Sequence, residues 1–109
     1  MSLVRLLRSE GHEVDSAATL AEAMTKLDGT RKVVLLDVLL PDGSGVEILN
    51  WIRSHGYPAR IGVLTGSADF DLLASLKNLR PDALFVKPCD PAMILQWAAA
   101  TRDALAAER

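Results

Sequence analysis

Residues 33–45 read VVLLDVLLPDGSG, and the rest of the chain is organised around them. Four apolar residues, two of them β-branched, lead directly into Asp37. A continuous apolar run of that length is the pattern of a parallel strand covered on both faces. After it come two leucines and then Pro41-Asp42-Gly43-Ser44-Gly45, a dense cluster of turn residues. The strand tip therefore carries a carboxylate to the edge where doubly wound α/β sheets bind ligands. An ionised aspartate at the end of so apolar a run is costly without a partner or a task.

Outward from this strand, helical and strand patterns alternate. Leu3, Leu6 and Leu7 have helical spacing, and Gly11 stops that helix. Residues 12–17 (HEVDSA) alternate weakly, as a short edge strand does. Thr19-Leu20-Ala21-Glu22 is a capping box that opens a helix with Leu20, Ala23, Met24 and Leu27 on its inner side, and Asp28-Gly29 ends it. Ser44-Gly45-Val46-Glu47 is a second capping box, and its helix turns Ile48, Leu49 and Ile52 to the sheet before His55-Gly56. Residues 58–65 form the next strand, and a polar turn over residues 66–69 leads to a helix through Phe70, Leu73, Ala74 and Leu76. The last strand is ALFVK, residues 83–87, followed by Asp90-Pro91, a cap with proline at the first helical position, and a final helix carrying Met93, Ile94, Trp97 and Leu105. The order α-β-α-β-α-β-α-β-α implies an α/β fold, a doubly wound parallel sheet of four strands with five helices.

Composition sets bounds around that architecture. A chain of 109 residues is expected to form one domain, with a modest core. The net charge of -2 argues against nucleic acid as the main partner of this domain. No apolar run approaches the ~20 residues of a membrane span, and the opening MSLVRLL is too short and too interrupted by arginine for a signal peptide. With Cys89 the single cysteine, an internal disulfide is ruled out, and a reducing cytoplasm is the expected location.

The pattern D-x-x-x-P-D-G-x-G resembles the phosphoacceptor strand and loop of response-regulator receiver domains. Leu64-Thr65-Gly66 is similar to the end of that family's fourth strand, and Val86-Lys87-Pro88 to the end of its fifth, in order and spacing. The resemblance covers nearly the whole chain and implies a flavodoxin-like receiver fold that switches by accepting a phosphoryl group on Asp37 and does not turn over as an enzyme. It assigns Lys87 as the cation beside the acceptor, Thr65 as hydroxyl donor to the acylphosphate, and the backbone near Leu39 and Gly66 as donors to the other oxygens. It implies Mg²⁺ as cofactor, held by Asp37 and the carbonyl of Leu39, and a histidine kinase or phosphotransfer protein as partner. In many relatives the Lys87-Pro88 bond is cis.

Two departures from the family pattern qualify this reading. Receiver domains begin with a central strand whose following loop supplies further acidic metal ligands, and nothing before Leu3 matches it. The chain is thus expected to be a receiver domain over residues 1–109, truncated at its amino end. Mg²⁺ binds through one or two carboxylates with water and phosphate oxygens, so with Asp37 alone the expectation is weak metal binding and slow or absent phosphorylation. Asp42, across the proline turn, is expected to shape the loop. Loss of a strand of ~5–6 residues is serious against a domain stability of ~5–15 kcal/mol. Residues 12–17 are therefore expected to pair with residues 33–37, or two chains to pair as a homodimer through the exposed sheet edge or a helical face. Finally, the family's signalling aromatic falls at Leu84, with Phe85 pointing to the other face of the strand.

Simpler roles stand beside these. Asp37 alone could cap the next helix, Thr65 could simply end a strand, and Lys87 could be a surface lysine. Cys89 reads as a small buried hydrophobe, His12 and His55 as solvent-facing, and Trp51 and Trp97 as packing or interface residues. A different functional class, an interaction module of receiver shape that takes no phosphate, is the alternative to the switch. An aspartate-nucleophile phosphatase is disfavoured because its second acid would fall at Leu39.

Overall fold

A computed structural model of the chain describes residues 2–27, 33–40, 42–66, 74–75 and 77–107. The elements in order are α1 (Leu3–Ser9), α2 (Leu20–Lys26), β1 (Val33–Asp37), β2 (Leu39–Leu40), β3 (Gly43–Ser44), α3 (Gly45–Ser54), β4 (Arg60–Thr65), β5 (Ala83–Val86) and α4 (Pro91–Ala107). The helix expected through Phe70 and Leu76 lies largely outside the described residues, although 74–75 and 77–78 are helical. The Asp28-Gly29 stop and residues 67–69 of the polar turn also lie outside them.

Strands β1, β4 and β5 form a parallel sheet in the order β1-β4-β5. Register aligns Val34 with Ile61, Leu36 with Val63, and Val63 with Leu84, so these side chains share a face. That face packs on Ile48, Leu49 and Ile52, the apolar stripe of α3, and Leu49, Ile52 and Ile61 are wholly buried. On the opposite face Phe85 meets Trp97 of α4 edge-on, with ring centroids 6.0 Å apart. Gly62 lies beneath the same indole: a Cβ there would sit 2.9 Å from two of its ring carbons. Both tryptophans pack within the chain, Trp51 stacking on His55 with centroids 4.2 Å apart.

Local signals set the helix boundaries as the sequence implies. Thr19 accepts from the Glu22 N–H, and Ser44 with Glu47 forms a full capping box at α3. Asp90 accepts from the Ala92 N–H at 2.9 Å, with Pro91 opening α4. Gly11 and Gly56, both at positive φ, follow α1 and α3.

The expected edge strand at residues 12–17 does not form: the segment carries no strand structure and pairs with nothing in either sheet. Among the described residues there are therefore three long parallel strands, not four, together with four named helices and a two-residue antiparallel pair, β2-β3. An extended segment gains strand structure only from a ladder partner, and residues 12–17 have not moved across to β1. His12 also departs from expectation, because its Nε2 is buried without a hydrogen-bond partner among the described residues. Between residues 12–17 and β1 lies a half-open cavity of about 920 Å³, lined also by residues of α1, α2 and α4.

Candidate functional site

The three parallel strands end on one edge, and the site is built there. Asp37 closes β1 in register with Leu64. Lys87 follows β5, and its N–H donates to the Thr65 carbonyl at 2.7 Å, which fixes where the side chain starts. The Lys87-Pro88 bond is cis. From that position Lys87 Nζ reaches past β4 to Asp37 Oδ2 at 2.7 Å. The side chains are 44% and 41% exposed, so the pair is open to an incoming group. An ion pair this exposed contributes only ~0–1 kcal/mol to stability; its consequence is positional.

The loop after Asp37 is held from several sides. Val38 N–H donates to the Leu64 carbonyl and Gly45 N–H to the Val38 carbonyl, each at 3.0 Å. Leu39 and Leu40 pair with Ser44 and Gly43 as a small antiparallel ladder, which sets the backbone at Leu39. Glu47 Oε2 accepts from the Ser44 N–H at 3.0 Å. Gly45 is required by close approach, since a Cβ there would fall on the Asp37 carbonyl.

Asp42 ties this loop to a helix that sequence proximity does not suggest. Its carboxylate accepts from the Leu20 N–H at 2.6 Å and the Ala21 N–H at 3.1 Å, the first amides of α2. Those two hydrogen bonds, Leu20 first, hold the Asp42 carboxyl below the ordinary carboxylate range. The expectation that Asp42 shapes the loop thus gains a specific form. The partner lies 22 residues upstream, and no local motif signals it.

The remaining expected residues sit at the same edge with different access. Thr65 is the last residue of β4 and is completely buried, so its hydroxyl does not open to solvent where Asp37 and Lys87 meet. Gly66 is exposed, and among the described residues a Cβ on it would meet Lys87 Cβ alone, at 4.0 Å. Leu84 is partly buried against the α3-side core, while Phe85 points to Trp97, as strand alternation requires.

Receiver domains generally bind Mg²⁺, and the residues present here fit that ion poorly. Among the described residues no group of three or more His, Cys, Asp or Glu side chains could hold a metal. The Asp37 carboxylate is engaged by Lys87.

Comparison with known proteins gives a consistent picture. The family described as "Response regulator receiver domain" matches residues 1–99. A CheY-like response regulator receiver domain protein from Methanospirillum hungatei JF-1 is 28% identical, superposes with a TM-score of 0.85, and is matched over 98% of this chain and 86% of that one. A response regulator protein from Burkholderia pseudomallei, solved with a phosphorylated aspartic acid, calcium ion and citrate, is 30% identical with a TM-score of 0.72, over 97% of this chain and 64% of that one. Among curated relatives, the transcriptional regulatory protein FixJ of Azorhizobium caulinodans is 35% identical over 97 residues, 86% of this chain and 45% of its own length. A CpxR homolog of Haemophilus influenzae is 35% identical over 82 residues, 75% of this chain and 36% of its own. The chain thus spans less than half the length of these two curated relatives.

Proposed function

The chain belongs to the response-regulator receiver domains, and from that premise we propose that it is a phosphoacceptor switch of two-component signalling, taking a phosphoryl group on Asp37 from a histidine kinase or phosphotransfer protein. The observation that carries this reading is the contact between Lys87 Nζ and Asp37 Oδ2, 2.7 Å apart on an exposed sheet edge. A carboxylate nucleophile approached by a phosphoryl dianion needs a cation beside it to offset the repulsion. Lys87 supplies that charge.

In the transfer, an Asp37 oxygen forms the new P–O bond as the P–N bond to the donor imidazole breaks. The electron pair leaves on the imidazole nitrogen, which takes a proton from water. Lys87 then moves from the carboxylate to the phosphoryl oxygens. The exposed backbone at Gly66 leaves room for those oxygens, and Thr65 contributes its hydroxyl only once the end of β4 opens. With Leu84 where the family's signalling aromatic falls, output runs through a population shift at the β4 end rather than through a rotating ring.

A second reading, a receiver-shaped interaction module that takes no phosphate, is favoured by the lack of an acidic metal cluster among the described residues. Intact-mass measurement after acetyl phosphate, with and without Mg²⁺, separates the two. A phosphoryl adduct that disappears in Asp37→Asn supports the switch. No adduct under either condition leaves the interaction module.

A further inference from the structure

The loop that follows Asp37 closes back on it. Gly45 N–H donates to the Val38 carbonyl at 3.0 Å, and the Gly45 backbone lies so near the Asp37 carbonyl that no Cβ fits between them. Within the loop Leu39 and Leu40 pair with Ser44 and Gly43. So short a ladder is not stable in water by itself, and the loop keeps its shape through what grips it from outside.

Two side chains grip it from opposite sides. Glu47 of α3 accepts from the Ser44 N–H at 3.0 Å, which ties the loop to the helix it runs into. Asp42 reaches the other way and accepts from the Leu20 and Ala21 N–H groups of α2, at 2.6 and 3.1 Å. Packing reinforces that second grip. A Cβ on Gly43 would come within 2.6 Å of both Leu20 Cδ2 and Glu47 Oε2, so the loop is pressed between the two helices. Leu20 is itself packed against the core, which makes the start of α2 a fixed point for the loop to hold.

We propose that Asp42 is a positioning residue for phosphoryl transfer to Asp37, holding the loop against the start of α2 so that the Asp37 carboxylate and the Leu39 backbone keep the geometry the transfer needs. The inference rests on the reading of Asp37 as phosphoacceptor. The effect of Asp42 passes through Gly43 and Gly45 to Asp37. Misplacing a reacting group by about 1 Å costs on the order of a hundredfold in rate.

The test follows the initial rate of adduct formation by intact mass over a series of acetyl phosphate concentrations, with and without Mg²⁺. In this reaction an Asp37 oxygen takes the phosphoryl group and acetate leaves with the electron pair. Asp42→Ala is expected to lower the maximal rate about tenfold or more. The half-saturating concentration is expected to stay unchanged, because Lys87 still meets the phosphoryl charge. Asp42→Asn keeps an acceptor for one of the two amides; its rate is expected to fall between, and it replaces Asp42→Ala should that variant melt at the assay temperature. Glu22→Ala is the control. Glu22 accepts from the Ala18 N–H and pairs with Lys26, so its loss weakens the start of α2 without touching the loop, and its rate is expected to match the wild type. The proposal is overturned if Asp42→Ala keeps the wild-type rate, if Glu22→Ala loses as much, or if the loss lies wholly in the half-saturating concentration. No adduct on the wild-type chain in either condition is a separate outcome, which overturns the phosphoacceptor reading and this proposal with it.

Discussion

Fifty residues of chain separate Asp37 from Lys87, yet the lysine Nζ lies 2.7 Å from the aspartate Oδ2. Parallel strands with helical crossovers bring this about, since every strand then ends on the same edge. Lys87 starts one strand beyond β4, anchored by its N–H on the Thr65 carbonyl, and its long stem spans the remaining distance.

Replacing Lys87 by Met tests what that contact does. The pair is exposed, so unfolding stability is expected to change by no more than about 1 kcal/mol. The acetyl phosphate adduct on Asp37 is expected to vanish. Chemical denaturation and intact mass on the same sample check both, and an adduct that survives removes Lys87 from the acceptor machinery.

Gly45→Ala and Gly66→Ala are expected to differ sharply. At Gly45 the new methyl falls on the Asp37 carbonyl, a backbone atom with no room to give, and a loss of about 3 kcal/mol or more is expected. At Gly66 the nearest neighbour among the described residues is Lys87 Cβ at 4.0 Å, and the change is expected to stay within about 0.5 kcal/mol. Urea midpoints of the two variants give the comparison.

Gly62→Ala places a methyl 2.9 Å from the Trp97 ring, overpacking that is expected to cost about 1–3 kcal/mol. Trp97→Leu frees the space at its own cost in buried area. The double variant is expected to be more stable than the sum of the two single losses implies, since the residues share one contact. Strict additivity in a double-mutant cycle would show that the indole does not press on residue 62.

Asp42 makes stability depend on pH in a definite direction. Its folded-state carboxyl titrates below the unfolded value, chiefly through the Leu20 N–H and next the Ala21 N–H. The resulting stability is present above the ordinary Asp pKa of about 3.9 and is lost as pH falls through the lower folded value. Asp42→Asn is expected to lower stability at neutral pH and to flatten its decline toward acid. Glu22, lowered in the same direction first by the Ala18 N–H, keeps part of that decline in the variant. Thermal melts across the acid range check the slope.

Much of this was legible in the linear chain because the signals are local. VVLLD marks a strand covered on both faces, the two capping boxes mark helix starts, and Asp90-Pro91 marks the last helix. The three strand-end motifs pointed to one edge because parallel topology leaves them nowhere else to meet. The weak alternation of residues 12–17 misled, since a strand is a relationship between two segments and these residues pair with neither sheet among the described residues. The clamp from Asp42 to α2 was equally out of reach, being a contact between a turn and a helix start 22 residues earlier.

What residue order determined, then, is which segments coil, which extend, and which side chains arrive at the carboxyl edge, because propensity, capping and periodicity act over a few neighbours. Only the assembled structure decided that Lys87 closes on Asp37, that Thr65 is buried at the end of β4 beside them, and that residues 12–17 join neither sheet among the described residues. Those outcomes depend on how far side chains reach and on which backbone edges find partners, distances that exist only once the strands lie side by side.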